Sequence, residues 1–332
     1  MKTLRLILAA LLTLTLSSCS NAAGKKEINP TGTRKGAQEM KTYYMGRFAI
    51  DVPVEFKLAV QSHRFQYAEI TEVDWPINIS RDVARTQMWE ARIAEIKKLR
   101  CPKTIDKVIM KNNDIRDIGQ WCKGVLFYGN YMSSKDGHWE VLIDVGPIAL
   151  WVKLAGLIEY EQEMLSDIKK IVAAYKPKGS DIYAPLPKAG GFYLKSGVIN
   201  LPYFEQEETY ARFEGPMGMK LRVEMGETHK VEEAGLLDRL AASLAINFAP
   251  GVDVDKIRTR KRTVAGLAGQ EIVVRLSDKN SKELFFGWDY QGKENSGECP
   301  EIKIGVEECP DGDLGEKLEL WDKVLNSFRA AF

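Results

Sequence analysis

Apolar residues recur at helical spacing in two segments of the first half of the chain. Segment 81–100 places Trp89, Ile93 and Ile96 on one face, and segment 164–175 repeats apolar residues every three or four positions. Such spacing is typical of a helix that buries one face. The remaining apolar runs are short or alternate with polar residues, which predicts strands. They are residues 44–52, 65–73, 105–110, 121–128 and 139–145, followed by an apolar run at 148–157.

The second half of the chain repeats this order of elements. Helices are predicted over 231–244 and 318–328, again from the spacing of apolar residues. Strands are predicted at 192–201, 208–213, 219–225, 257–264, 270–276, 283–290 and 301–306. A Gly-Gln pair occurs in matching context at 119–120 and 269–270. The repeated order indicates an internal duplication.

Runs of strands with helices at fixed places favour an α+β fold. The regular alternation of strand and helix that a Rossmann fold or a TIM barrel requires is absent. Residues 175–190 hold several prolines and glycines without apolar periodicity, which is typical of a linker. We therefore predict two similar domains, residues 42–178 and 191–332, joined by a linker at 179–190. Each is expected to be an antiparallel sheet with helices packed on one face.

The first twenty residues have the pattern of a bacterial export signal. Lys2 and Arg5 precede an apolar run at 6–16 that is too short to span a bilayer. The following residues resemble a lipobox that ends at Cys19, whose thiol becomes acylated. We predict a signal peptide over 1–18, lipidation of Cys19 and a flexible tether over 19–41. Serine rather than aspartate follows Cys19, which favours the outer membrane and a periplasmic location.

Four further cysteines remain, and an exported chain meets an oxidising compartment. Four cysteines allow three connectivities. The local pairs Cys101–Cys122 and Cys299–Cys309 fall one in each half, and they are the favoured disulfides. A zinc site made of all four thiolates is the weaker alternative, because no C-x2-C spacing is present.

The chain offers little material for catalysis. It has 332 residues, 47 Lys and Arg against 46 Asp and Glu, and three histidines, His63, His138 and His229, which are expected as surface or capping residues. No Gly-x-Ser-x-Gly pentapeptide and no clustered histidines occur, so a serine or zinc hydrolase is not indicated. The near-neutral charge gives no support for a nucleic-acid partner. We predict no enzymatic activity, no catalytic residues, no metal and no cofactor.

Aromatic and acidic residues are the candidates for contact with a partner protein. Aromatic side chains are frequent anchors of protein interfaces, although core packing is the ordinary alternative for residues on alternating strands. Acidic loop residues near the end of the chain either remain solvated or face a partner. The candidate partner-binding residues are Tyr128, Tyr131, Trp139, Phe286, Trp288, Glu307, Glu308 and Asp311.

Three segments of the sequence resemble a known family. The opening run Tyr44-Met45-Gly46-Arg47-Phe48-Ala49-Ile50-Asp51-Val52-Pro53, the helix at 81–100 and the run 191–199 are similar to the two-domain immunity proteins of type VI secretion lipase effectors, the Tle cognate immunity family of the fourth type. The similarity covers residues 42–332. The motifs are short and mostly structural, so they assign no interface residue.

The resemblance implies a periplasmic protein, often lipid-anchored, that binds a phospholipase or lipase effector and blocks its active site. It implies that two domains clamp the toxin, and it implies no catalytic residue. The alternatives from other classes are an envelope lipoprotein with a structural or small-ligand-binding role, and an exported hydrolase. The expected partners are thus the cognate effector and, through the lipid anchor, a membrane.

Replacing Cys19 with alanine should release the protein from the membrane fraction without unfolding it. Acyl chains hold a protein at a bilayer because each buried methylene contributes about 0.8 kcal/mol. Ultracentrifugation of cell lysates should find the wild type in the pellet and the variant in the supernatant, while Ser20→Ala stays in the pellet. A Cys19→Ala variant that still sediments with membranes would rule out the predicted anchor.

Overall fold

The computed structural model describes residues 38–331 except 116, 119–120, 179–189, 232–234, 237–252 and 280. The predicted signal peptide, the lipidated Cys19, nearly all of the tether, most of the linker and most of the predicted helix at 231–244 lie outside the described residues. None of the described helices has the length and hydropathy of a membrane span.

Three α-helices occur in the described residues: α1 is Arg81–Ile96, α2 is Glu161–Ala174 and α3 is Leu314–Ser327. The helix α1 begins after Ser80, whose hydroxyl accepts a hydrogen bond from the Val83 N–H. All three lie at segments where apolar periodicity predicts a helix. The predicted ends differ from the observed ends by a few residues, because the spacing of apolar residues locates a helix more accurately than it locates the terminal residues.

Eighteen strands occur in the described residues, and several predicted strands are hairpins. The predicted strand at 44–52 is interrupted by Gly46, whose φ is +58°, so the chain turns there. The strands are β1 Met40–Met45, β2 Phe48–Pro53, β3 Lys57–Phe65, β4 Ala68–Asp74, β5 Ile109–Asp114, β6 Cys122–Tyr128, β7 Asp136–Asp144, β8 Ile148–Leu157, β9 Tyr175–Pro177, β10 Phe192–Tyr193, β11 Gly197–Ile199, β12 Glu208–Glu214, β13 Lys220–Gly226, β14 Asp253–Val264, β15 Leu267–Ser277, β16 Lys282–Tyr290, β17 Glu301–Pro310 and β18 Arg329–Ala330.

Twelve of these strands form one antiparallel sheet. Its order is β14-β15-β16-β17-β13-β12-β3-β4-β8-β7-β6-β5. We call β3–β8 with α1 and α2 the first lobe, and β12–β17 with α3 the second lobe. Read outward from the centre, the first lobe runs 3-4-8-7-6-5 and the second 12-13-17-16-15-14. The two lobes therefore share one topology, as the internal duplication predicts.

The lobes join edge to edge, because β3 pairs with β12 from Lys57↔Glu214 to Arg64↔Glu208. The α+β class with antiparallel strands is observed. The prediction of a separate sheet in each domain is wrong, since the described strands of both lobes share one sheet. Both lobes present an unpaired first strand at their edge, and pairing these edges satisfies their backbone groups.

Helices cover both faces of the first lobe, so the prediction that helices pack on one face is also wrong there. Trp89 and Ile93 of α1 pack with Phe127 on one side, whereas Ile168 of α2 packs with Leu126 on the other. The reason is visible in β6 and β7, which are apolar at consecutive positions rather than at alternate ones. Strands of this kind need cover on both faces.

Each lobe is completed by a hairpin that precedes the other lobe in sequence. The hairpin β1–β2 comes before the first lobe, yet it pairs with β18, and its Phe48 and Ile50 belong to the core of the second lobe with Trp321. The hairpin β10–β11 comes before the second lobe, yet it pairs with β9, and its Phe192 belongs to the core of the first lobe. The predicted boundary near residue 179 therefore separates two halves of the sequence, but each half contributes a hairpin to the core of the other lobe.

The two exchanged hairpins meet at the centre of the molecule. Gly46 and Tyr193 exchange backbone hydrogen bonds of 2.9 and 2.7 Å. Beside them, the Arg47 guanidinium donates to Glu207 at 2.7 Å from Nε and 2.5 Å from Nη2, and both side chains are buried. Arg47 also donates to the carbonyl oxygens of Gly190 and Leu201. Burial raises the pKa of Glu207, and Arg47 opposes that shift.

Replacing Arg47 with alanine should lower the free energy of unfolding by about 3–5 kcal/mol, because it leaves the Glu207 carboxylate buried without its cation. Arg64 is the matched control. It pairs with Glu208 on the surface, 27% exposed, and Arg64→Ala should cost less than about 1 kcal/mol. Urea denaturation followed by tryptophan fluorescence measures both values. Equal effects of the two substitutions would contradict the central role of Arg47.

Candidate functional site

The centre of the sheet has one face that no described helix covers. Alternation along β12 and β13 points Phe213, Leu221 and Val223 into the core of the second lobe. The intervening side chains therefore point to the opposite face. We call this surface the central face, and it comprises Val60, Ser62, Arg64, Glu69, Thr71, Glu208, Tyr210, Arg212, Arg222, Glu224, Lys303 and Glu307.

The first-lobe side of the central face is a lattice of exposed ion pairs. Arg64 lies 3.6 Å from Glu69 and 2.9 Å from Glu208, and Lys153 lies 3.5 Å from Glu69. Exposed pairs of this kind contribute between about 0 and 1 kcal/mol each. They make the surface polar and adaptable, which suits a protein interface better than a catalytic centre.

The second-lobe side of the central face carries a more deeply placed charge. The Arg222 side chain is only 6% exposed and lies 2.9 Å from Glu307 and 3.6 Å from Glu224. Burial raises the pKa of both carboxyls, and the charge of Arg222 opposes the shift. Burial also raises the pKa of Tyr210. The charged groups of Arg222, Glu224 and Glu307 are therefore largely shielded from solvent on this part of the central face.

A second exposed surface lies at one end of the first lobe. Tyr131 and Met132 in the β6–β7 loop are 55% and 78% exposed, and Leu157 at the end of β8 and Tyr160 just after it are 40% and 53% exposed. The two segments are tied together, since the Ile158 N–H donates to the Lys135 carbonyl at 2.8 Å. Tyr131 therefore stays a predicted contact residue. Tyr128 is half-buried beside the core that α1 covers, and it too stays a prediction.

Three predicted contact residues are wrong because they are buried. Trp139, Phe286 and Trp288 are exposed by 2% or less. The indole of Trp139 donates to the Glu161 carbonyl, and that of Trp288 to the Arg262 carbonyl. These aromatic residues face the layers that contain α2 and α3, so core packing accounts for them.

The predicted acidic surface at the end of β17 is paired with cations. Glu308 lies 2.6 Å from Lys220, and Asp311 lies 3.1 Å from Arg275, whose hydrogen bond lowers the pKa of that carboxyl. Glu307 pairs with Arg222. All three remain predicted contact residues, but each carboxylate has a counter-ion, so their surface is not strongly negative.

All four predicted disulfide cysteines are free thiols, so both predicted pairs are wrong. Cys101 packs on the α1 side of the sheet and Cys122 on the α2 side. Cys299 lies two residues before the extended strand β17 and Cys309 lies near its end. At about 3.3 Å per residue they are roughly 30 Å apart, whereas a disulfide needs Cα atoms within about 7 Å. Burial raises the pKa of Cys122 to about 12, so its thiol is unreactive.

No metal-binding cluster occurs in the described part of the chain. No group of three or more His, Cys, Asp or Glu side chains is placed to hold a metal ion there. His229 lies on the surface as expected, but His63 does not. His63 is buried beside the Phe192 ring, its Nδ1 lies 3.2 Å from Thr209 Oγ1, and its Nε2 has no hydrogen-bond partner among the described residues.

Stability should fall in mild acid because of His63. Burial lowers its pKa from 6.5 to about 3, so the native state holds it neutral while the unfolded chain protonates it below pH 6.5. The contribution of the neutral ring is therefore lost as the pH falls from 6.5 towards 3, at about 1.4 kcal/mol per pH unit. Urea titrations should show wild type losing about 2 kcal/mol more than His63→Gln between pH 7 and pH 4.5.

The surface histidine His229 supplies the control for this measurement, because its replacement by glutamine leaves the buried His63 ring in place. His229→Gln should therefore retain the acid sensitivity that His63 confers. The buried carboxyls are common to all three proteins and cancel in the comparison. Identical pH dependence of wild type and His63→Gln would show that burial of His63 does not govern acid stability.

Comparison with known proteins gives one family and several related folds. Residues 185–331 match the family described as the Tle cognate immunity protein 4 C-terminal domain. This match confirms the resemblance drawn from the sequence over residues 185–331. The family is one of immunity proteins rather than enzymes, in line with the prediction of no enzymatic activity. A search of curated proteins found no match.

Solved structures share the fold along nearly their whole length. The apo immunity protein TplEi of the type VI secretion system from Pseudomonas aeruginosa is 22% identical, with a TM-score of 0.69 over 88% of this chain and 97% of that chain. A chain in the crystal structure of the Tle4-Tli4 complex is 21% identical, with a TM-score of 0.70 over 88% and 97%. TplEi complexed with "L" peptide is 20% identical, with a TM-score of 0.65 over 88% and 98%.

Proposed function

We propose that this protein is an immunity protein that binds a phospholipase or lipase effector of a type VI secretion system and blocks its active site. The observation that carries the proposal is the match of residues 185–331 to a family of immunity proteins. The shared fold with a chain solved in the Tle4-Tli4 complex supports it over most of the remaining length.

Inhibition by such a protein requires a surface rather than a reactive group. The central face extends across the junction of both lobes and is bounded by α1 on the first-lobe side. An effector seated there contacts both lobes at once, which is the clamp that we propose. A standard interface buries about 1,600 Å² in total, and a tight complex dissociates slowly. Substrate is then excluded by shape alone.

Lipidation of Cys19 and a periplasmic location, at the outer membrane, complete the proposal. A lipase delivered into the periplasm attacks the bilayer, and an anchored inhibitor is concentrated at the same surface. Tethering raises the effective concentration of the inhibitor near the membrane without adding a contact.

The direct test is co-expression with the cognate lipase effector. Periplasmic expression of that lipase should stop growth, and co-expression of this protein should restore it. Purified protein should lower lipase turnover in proportion to its amount and co-elute with the lipase on gel filtration. Growth arrest that persists despite co-expression, with no complex formed, would refute the proposal.

A bulky substitution on the central face should locate the interface. Ser62 is an exposed residue of that face, and Ser62→Trp should weaken effector binding by about tenfold or more because it obstructs docking. Lys170→Trp, on the exposed side of α2 away from this face, is the matched control and should bind as wild type. Calorimetry measures both affinities, and the opposite ranking would move the interface to the α2 side.

A further inference from the structure

Two arginines of the central face lie directly opposite each other on neighbouring strands. Arg212 of β12 pairs with Arg222 of β13 in the antiparallel register. Opposed positions on one face bring Cβ atoms to about 5 Å, and like charges at such positions are destabilising. This cation pair thus costs folding energy unless anions lie close to it.

The anions of the protein itself satisfy this pair incompletely. The carboxylate nearest to Arg212 among its ion pairs is Glu214, 3.8 Å away, and the Arg212 side chain is 40% exposed. Arg222 contacts Glu307 and Glu224, yet its Nη2 has no hydrogen-bond partner in the described structure, and neither has Nε of Arg212. Buried guanidinium donors without acceptors are costly.

In another arginine cluster of the same sheet, the guanidinium donors are hydrogen-bonded to carboxylates. Arg262 on β14 donates from Nη1 to Glu271 at 3.0 Å and to Asp322 at 2.6 Å, and Arg258 contacts the same two carboxylates. That cluster joins β14 and β15 to α3, so its role is structural. The unused donors at Arg212 and Arg222 are therefore not a general property of arginines in this fold.

The floor beside Arg222 has room for an incoming side chain. Gly305 of β17 is the direct neighbour of Arg222. A Cβ built at Gly305 would meet only the Phe286 carbonyl oxygen within 4 Å, at 3.1 Å, among the described residues. A missing side chain at this position leaves the guanidinium of Arg222 flanked by backbone rather than by a bulky neighbour.

We propose that Arg212 and Arg222 together receive a carboxylate of the effector, supplied by an aspartate or glutamate on its docking surface. This inference rests on the proposed function. Guanidinium groups match carboxylates in planar, bidentate geometry. Arg212, the exposed member, meets the acidic side chain first, and Arg222 holds it from below. The charge complementarity replaces the repulsion of the opposed arginines, so the energy left unrealised in the free protein is recovered on binding.

Charge substitution tests this assignment. With the cognate lipase as the probe, Arg212→Gln should weaken binding about tenfold and Arg222→Gln about 30-fold, and Arg212→Glu should weaken it further than Arg212→Gln. Arg329→Gln is the matched control, since Arg329 is an exposed, ion-paired arginine of β18 that lies outside the central face, and it should stay within about threefold of wild type. Surface plasmon resonance gives the rates, and thermal melting reports folding.

The outcomes separate this inference from the proposed function. If wild type binds and inhibits the lipase but Arg212→Gln and Arg212→Glu bind equally well, the arginine pair is not the contact and this inference fails alone. If wild type neither binds nor inhibits, the proposed function fails first. Arg212 is exposed, so its variants remain informative even if Arg222→Gln unfolds. The assignment would also be overturned if the Arg212 variants lost binding to phosphatidylglycerol vesicles but bound the lipase as the wild type does. Rescue of Arg212→Glu by a lysine at one acidic position of the lipase would identify the matching carboxylate.

Discussion

Pairing of the first strands of the two lobes is the constraint on which the rest of the structure depends. Strands β3 and β12 each form the inner edge of a six-stranded half-sheet, and the backbone groups that face this junction are satisfied by the pairing of the two strands. This pairing fixes the lobes at one relative angle. It also brings the hairpin tips at Gly46 and Tyr193 together, and with them the buried Arg47–Glu207 ion pair. A flexible linker between independent domains would impose none of these restrictions.

The same junction determines the character of the candidate interface. The core side of the central strands is covered by the exchanged hairpins, so apolar residues collect there. The other side is left to polar residues that sit in cross-strand rows, and long side chains of opposite charge fill it. Such a surface is stable in water before any partner arrives. Among the described residues of this surface, Nε of Arg212 and Nη2 of Arg222 have no hydrogen-bond partner, and a complementary surface gains specificity by supplying one.

Much of the fold could be predicted from the sequence, because periodicity reports local burial. The three described helices and most strands lie where the pattern places them, and the repeated order is real. The pattern could not reveal which partner covers each face. Trp139 and Trp288 look like interface anchors until the layers of α2 and α3 cover them. The cysteines show the same limit, since an even count and short spacing say nothing of the sheet between Cys101 and Cys122. The opposition of Arg212 and Arg222 depends on register, which a single strand does not encode.

The exchange of hairpins has a mechanical consequence. Residues 1–37 lead directly into β1, and β1 is packed against the second lobe, where the Tyr43 ring contacts Phe213 at a centroid distance of 4.8 Å. Any pull on the leading segment is therefore borne by the lobe encoded at the far end of the chain. Tension would unzip β1 from β2, beginning at Met40↔Pro53, before it reached the strands that join the lobes. The pairing of β3 with β12 is thus mechanically insulated from the segment that precedes β1.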